Sequence, residues 1–347
     1  MKRRLILHLG LSKTGTTSIQ GFFRQSPDAL AAAGIVYPKV GASLPNHPSY
    51  QPSVLKPRVA DETNHSALAR EIDQRSIDTG DESDRTPLWS AAFRQIEDSG
   101  AHTAIVSYEG FATHPIKYRF GDIEGHLRNF DVKGIVYLRN QEYWAVSTYG
   151  QRISGNKRFS KPFSKHLESL KTRLVYSELL DTIRGHIPLD HLVVGNFDEA
   201  SRSGLLEDFF DKTGLPRDLP LPAGEQKLRN RSHPYAATLF LLKCNQAGLS
   251  DAAFLQVREA FAAHTKREKD FGLRPGLDTA APYERQALRK VTADDAERLA
   301  RRYGVTLSAE PREAVAYRPF DEDDFMAIKE AIAPGLTQAT LDALKNI

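Results

Sequence analysis

Leu5-Ile6-Leu7-His8-Leu9-Gly10-Leu11-Ser12-Lys13-Thr14-Gly15-Thr16-Thr17-Ser18-Ile19-Gln20 is the stretch on which the reading of this chain turns. Residues 5–9 are a short apolar run of strand length that ends at a glycine, and helical spacing resumes over 18–23, through Phe22 and Phe23. The stretch predicts a strand, a short loop and a helix. Successive backbone N–H groups in such a loop turn inward, and the free N–H groups and positive dipole end of the helix add to them, so the loop suits an anionic group. Gly10 and Gly15 keep the Gly-x-x-x-x-Gly spacing of the nucleotide-binding P-loop, but Thr16 and Thr17 follow where that motif has Lys and then Ser or Thr. The lysine stands inside the loop instead, at Lys13, among the hydroxyls of Ser12, Thr14, Thr16, Thr17 and Ser18. A nucleoside triphosphatase keeps its lysine on the β- and γ-phosphates and a hydroxyl on Mg²⁺. The loop therefore predicts an anion site, but not a Mg-ATP site.

Composition bounds the rest. The 347 residues suffice for one large α/β domain with an appended helical part, or for two ordinary domains. With 26% charged and 40% hydrophobic residues the chain is globular rather than disordered. A net charge of +3 does not argue for nucleic acid. Charge is locally uneven: residues 1–40 carry six Lys or Arg against one acid, whereas 61–84 carry eight acids against two Arg. The first segment attracts phosphate or sulfate, and the second reads as a solvated surface. Cys244 is the single cysteine, so there is neither an internal disulfide nor a cysteine-based zinc site, and its helical setting predicts a buried small hydrophobe. No stretch approaches the roughly 18 apolar residues of a membrane span, and a soluble, cytoplasmic protein is expected.

Further along, residues 41–60 read as a long proline-bearing loop of the kind that often forms lids or binding loops. Asn46-His47, and Asn64-His65 beyond it, are candidate substrate contacts there, against the commoner reading of exposed loop residues. Residues 102–108 form the second convincing strand, followed by Glu109-Gly110-Phe111. Ligands of doubly wound sheets lie beyond the carboxyl ends of the strands, which puts Glu109 at the same edge as Lys13 and offers a carboxylate for proton abstraction. His8, His47 and His65 are the rival bases. Residues 115–129 read as helix. Residues 132–138 are the third strong strand, ending at Arg139, and a helix then carries Tyr143, Trp144, Ser147 and Tyr149. Residues 139–173 hold eight Lys or Arg against two Glu, a basic stretch that suits an anionic acceptor or a solvated face. Another strand is expected over 189–194, a helix over 201–213, and a mostly helical region from 235 onward.

Lys13-Thr14-Gly15-Thr16-Thr17-Ser18 resembles the 5′-phosphosulfate loop of sulfotransferases that use 3′-phosphoadenosine 5′-phosphosulfate (PAPS), with Ser12 where that family most often has proline. Arg139 at a strand end and Ser147 eight residues later resemble the family's second signature, the pair that contacts the 3′-phosphate; Gln141 stands where proline is frequent. Ser107-Tyr108-Glu109-Gly110-Phe111 resembles the element that carries the general base in carbohydrate-modifying members. The resemblance covers about the first 235 residues. It implies a P-loop NTPase-like α/β fold of three layers with a central parallel sheet, residues 1–235 as the PAPS-binding core, and an α-helical C-terminal part, 236–347, packed on it. It implies PAPS as cofactor with PAP as product, no metal, and a hydroxyl acceptor, a carbohydrate or glycolipid. Lys13 and Glu109 are then the catalytic pair, and residues 12–18, Arg139 and Ser147 the cofactor set, with Arg229 and Arg231 added from the basic segment after the core. Two alternatives stand beside it: a P-loop kinase using ATP, and a sulfotransferase-like scaffold that binds nucleotide or glycan without turnover.

Overall fold

The structure is a computed structural model, and it describes residues 2–39, 65–74, 86–156, 158–220, 235–267, 271–307 and 316–347. The chain opens with β1 (Arg3–Leu9), α1 (Thr16–Gln25), α2 (Pro27–Ala32) and β2 (Ile35–Val36). It continues through α3 (Ser66–Glu71), α4 (Pro87–Asp98), β3 (Thr103–Tyr108), α5 (Gly110–Thr113), α6 (Glu124–Leu127) and β4 (Phe130–Leu138). Then come α7 (Gln141–Ser154), α8 (Phe163–Leu174), α9 (Tyr176–His186), β5 (His191–Asn196), α10 (Phe197–Ser203) and α11 (Leu205–Thr213). The remaining elements are α12 (Tyr235–Gln246), α13 (Asp251–Arg267), α14 (Pro282–Tyr303), α15 (Glu322–Ile332) and α16 (Gln338–Ala343).

The five strands make one sheet of order β2-β3-β1-β4-β5, parallel throughout. Side chains alternate between the faces, so Ile6, Ile105, Ile135 and Tyr137 share one of them. They form a buried cluster with Ile19, Phe22 and Phe23 of α1 and with Phe209 and Phe210 of α11. Leu5, Leu7, Leu9, Val106, Val136 and Leu138, which alternate with the first set, are buried as well. A parallel sheet covered on both faces in this way is the expected three-layer α/β fold with a central parallel sheet. The run that predicted β1 is apolar on both faces, with His8 its one polar position, because both faces are covered.

Two compact units divide the chain. One comprises Met1–Asn140, Val175–Arg229 and Asp294–Leu307; the other comprises Gln141–Leu174, Asn230–Ala293 and Ser308–Ile347. This division differs from a boundary at 235: α7 and α8 go with the C-terminal helices, and the end of α14 goes with the sheet. The sheet unit holds that late segment by polar bonds. The Asp295 carboxylate, fully buried, accepts from the N–H groups of Tyr176 at 2.7 Å and Ser177 at 3.0 Å and so caps α9. Asn196 and Asn140, at the ends of β5 and β4, donate to the carbonyls of Thr306 at 2.9 Å and Leu307 at 3.3 Å.

In the second unit Glu142, at the start of α7, accepts from Arg289 at 2.7 Å and also from Arg285, which reaches Asp278 at 2.6 Å. Phe240 of α12 stacks on Phe325 of α15 with ring centroids 4.3 Å apart. Two arginines of the basic stretch serve this packing. Arg158 donates to Asn245 at 3.1 Å and Asp251 at 2.7 Å, and Arg152 donates to His166 and Ser169. Cys244 is fully buried, and burial pushes its thiol up to about 12.

Residues 115–129 are not one helix. Pro115–Lys117 and Phe120–Ile123 are 3₁₀ turns, and only Glu124–Leu127 is α-helical. Gly121 and Gly125 within the run favour neither a long helix nor its nucleation. The helix expected over 201–213 is likewise two, α10 and α11, parted at Gly204, where φ is 121°. No helix of the described residues is long and apolar enough to cross a membrane.

Candidate functional site

The carboxyl ends of β1, β3 and β4, three adjacent strands, bring Lys13, Glu109 and Arg139 to one edge of the sheet. Three features shape the loop after β1. Lys13 and Gly15 both adopt left-handed backbone, with φ of 68° and 77°. The Thr14 hydroxyl folds back onto the Leu11 carbonyl at 2.6 Å, joined by that of Thr16 at 3.4 Å. No side chain caps α1 at Gly15, so its first N–H groups stay available to an anion.

The loop glycines are dictated by space. A Cβ at Gly10 would lie 3.0 Å from the Cα of Glu109 and 2.8 Å from the Thr16 side chain, so β1 and β3 end in backbone contact. A Cβ at Gly15 would come within 2.3 Å of Leu205 and 2.9 Å of the Phe197 ring, in a backbone conformation already unfavourable for an L-residue.

Charge at the site is deliberate in its lack of internal pairing. Among the described residues neither the Lys13 ammonium nor the Glu109 carboxylate has a hydrogen bond or ion pair. They feel each other nonetheless. Burial holds the Lys13 ammonium below its usual range, Glu109 opposing and Arg139 assisting. Burial likewise raises the Glu109 carboxyl above the usual carboxylate range, with Lys13 opposing. A half-buried acid and base that stay unpaired are a costly arrangement for stability alone and a useful one for proton and charge transfer.

Arg139 is oriented by a residue that the sequence did not single out. Its Nε donates to Asp198 at 3.2 Å, and the other oxygen of that carboxylate accepts from the Asn140 N–H at 2.8 Å. Asp198 in turn sits in the first turn of α10, capped by Asn196, whose side chain accepts from the Asp198 N–H at 3.0 Å. The Phe197 ring lies 5.5 Å from the guanidinium. This leaves the two Nη amino groups of Arg139 without a hydrogen bond among the described residues, a fork open to an anion. The signal was present as Asn196-Phe197-Asp198 at the end of another parallel strand.

The remaining candidates are distributed differently. Thr14 and Thr16 are buried in the loop, Thr17 is exposed, and Ser12 and Ser18 are half-buried. Ser147 lies on α7 in the second unit and is 8% exposed. His47, Arg229 and Arg231 lie outside the described residues. His8 is fully buried, its Nδ1 2.8 Å from the Ser107 hydroxyl, and burial lowers its imidazole to about 3. His65 is 2% exposed with both ring nitrogens engaged, and burial lowers it to about 4. Neither of these two imidazoles faces solvent, and Glu109 is the titratable acceptor that the described residues bring to this edge. His65, which its place in the sequence suggested as a substrate contact, is enclosed by these partners in the described structure.

No protein-family model matches the chain, and no curated protein matches it. Among solved structures, a sulfotransferase from Alicyclobacillus acidocaldarius is similar over 74% of this chain and 100% of its own, at 16% identity and a TM-score of 0.39.

Proposed function

We propose that this chain is a PAPS-dependent sulfotransferase that transfers the sulfuryl group to a hydroxyl of a carbohydrate or glycolipid. The observation that carries the reading is Lys13 itself. It occupies a left-handed position ahead of Gly15, unpaired among the described residues and within electrostatic reach of Glu109 and Arg139. A nucleoside triphosphatase has its lysine after the last glycine, where Thr16 stands here, 1% exposed and bonded back to Leu11.

The residues fit the cofactor. The uncapped start of α1 suits a 5′-phosphate, and the open Nη fork of Arg139 suits a second phosphate. Ser147 joins that set through the resemblance alone. PAPS, when bound, supplies an activated sulfuryl group with PAP as leaving group. Lys13 then stabilises negative charge that develops on the leaving oxygen, and Glu109 takes the proton from the acceptor hydroxyl. The loop and Arg139 orient the reacting atoms for in-line transfer.

Thermal denaturation in the presence of PAP, ADP or Mg-ATP tests the reading. PAP is expected to stabilise the fold progressively with concentration, by about 2.7 kcal/mol at a hundredfold excess over its dissociation constant, and ADP far less. Arg139→Ala should weaken PAP roughly 30-fold, the loss of about 2 kcal/mol that one charge-assisted contact supplies. Stabilisation by Mg-ATP alone would overturn the proposal in favour of a kinase. PAP binding without PAPS consumption toward any hydroxyl acceptor would mark a silent scaffold.

A further inference from the structure

β2 stops after pairing Ile35 with Thr103 and Val36 with Ala104, so among the described residues no strand pairs on that side with the last residues of β3, next to Glu109. His65 takes its place. The backbone N–H of His65 donates to the Ser107 carbonyl at 3.0 Å, and the Ser107 N–H donates to the imidazole Nδ1 at 2.9 Å. One residue thus satisfies both outward ladder groups of Ser107, half with backbone and half with its ring. The far ring nitrogen, Nε2, lies 2.9 Å from the Pro38 carbonyl, in the segment that leaves β2. These partners fix the tautomer: a carbonyl only accepts, so Nε2 bears the proton, and an amide N–H only donates, so Nδ1 is bare.

The anchor is stiff on every side. The His65 carbonyl accepts from Ala69 at 3.2 Å in the first turn of α3, and the ring packs on Tyr37 at 4.4 Å. The Ser107 hydroxyl is held in turn by His8 at 2.8 Å and by Gln20 of α1 at 3.1 Å. Ser107 is therefore a fixed point of the backbone two residues before Glu109, tied also to the helix that follows the Lys13 loop.

We propose that His65 is a positioning residue: its neutral imidazole stands in for a missing strand and fixes the carboxyl end of β3, and through it the orientation of the Glu109 carboxylate. The inference rests on the reading of Glu109 as proton acceptor, but its test does not need turnover. Labelling glutamate with ¹³C at the side-chain carboxyl gives a Glu109 signal, assigned by its loss in Glu109→Gln. Its titration is followed beside hydrogen exchange across 105–110 and the dissociation constant of PAP.

In His65→Ala the Glu109 midpoint should fall toward the usual carboxylate range, and exchange across 105–110 should accelerate about tenfold or more. PAP affinity should stay within about twofold, because the ring's partners, Pro38, Ser107 and Tyr37, lie outside the Lys13 loop. His65→Asn places an acceptor near the position of Nδ1 and should restore both signals. His65→Gln keeps only a donor near Nε2 and should not. A Glu109 signal and exchange pattern unchanged in His65→Ala would overturn the proposal. Should the alanine variant fail to fold, equal behaviour of the Asn and Gln variants overturns it instead. Full turnover by Glu109→Gln would refute the role of Glu109 as base, a result separate from any of these.

Discussion

Lys13→Ala is expected to lower the rate of sulfuryl transfer by about 10²- to 10³-fold, the usual loss when one preorganised transition-state contact is removed, while PAP affinity changes several-fold at most. The asymmetry follows from what Lys13 does not touch. Its ammonium has no ion pair among the described residues, and burial disfavours its charge. A static phosphate contact does not need this lysine, since the uncapped start of α1 and the Arg139 fork are on hand for that purpose. The backbone reinforces the point. Lys13 is held at φ 68°, where an L-residue loses about 1–2 kcal/mol relative to its ordinary conformations. Lys13→Gly relieves that strain and should be at least as stable as the wild type, yet as inactive as the alanine variant. Stopped assays of PAP release, with calorimetric PAP titration beside them, separate the two quantities. Full turnover by either variant would refute the leaving-group role.

Glu109→Gln should lower turnover by about 10²- to 10⁴-fold, the range associated with a positioned general base. Two further signs identify the cause. In the wild type the rate should fall on the acid side as Glu109 takes up its proton, and that limb should begin above the usual carboxylate range because burial raises this group. The glutamine variant should lack the limb. Stability should move the opposite way from activity. A carboxyl raised in the folded state favours its neutral form there, so its contribution is present at low pH and lost as pH rises through the folded value. At neutral pH the carboxylate is a burden, and Glu109→Gln should melt no lower than the wild type. The difference should shrink as pH falls toward the ordinary carboxylate range. Thermal melts and rate profiles across the acid range check both, and an intact acid limb in the variant would place the base elsewhere.

What could be read from the sequence was set by locality. Strand β1, the glycine spacing, Lys13 and the strand-end positions of Glu109 and Arg139 are each encoded within a few residues, because a parallel strand buried on both faces is a continuous apolar run. Asp198 was not legible as a partner of Arg139. The two are 59 residues apart, and their meeting depends on β5 pairing with β4 in a register that puts Asn196 beside Leu138. The burial of His65 was hidden for a related reason: an Asn-His pair beyond a polar loop looks exposed until the short β2 leaves a place for it beside Ser107. The broken helix over 115–129 was a local error, since Gly121 and Gly125 argued against the run that the apolar spacing favoured.

The late segment of the sheet unit also sets a schedule. On the ribosome, β1 to β5 and α11 emerge well before Asp295, Thr306 and Leu307, which cap α9 and bond to the ends of β4 and β5. The 64 residues numbered 230–293, all assigned to the other unit, must be made in between. At typical elongation speeds that interval lasts roughly 3 to 13 seconds. For that time the nascent sheet carries an uncapped helix and open groups beyond the ends of β4 and β5, so the polar bonds at this end of the unit close last.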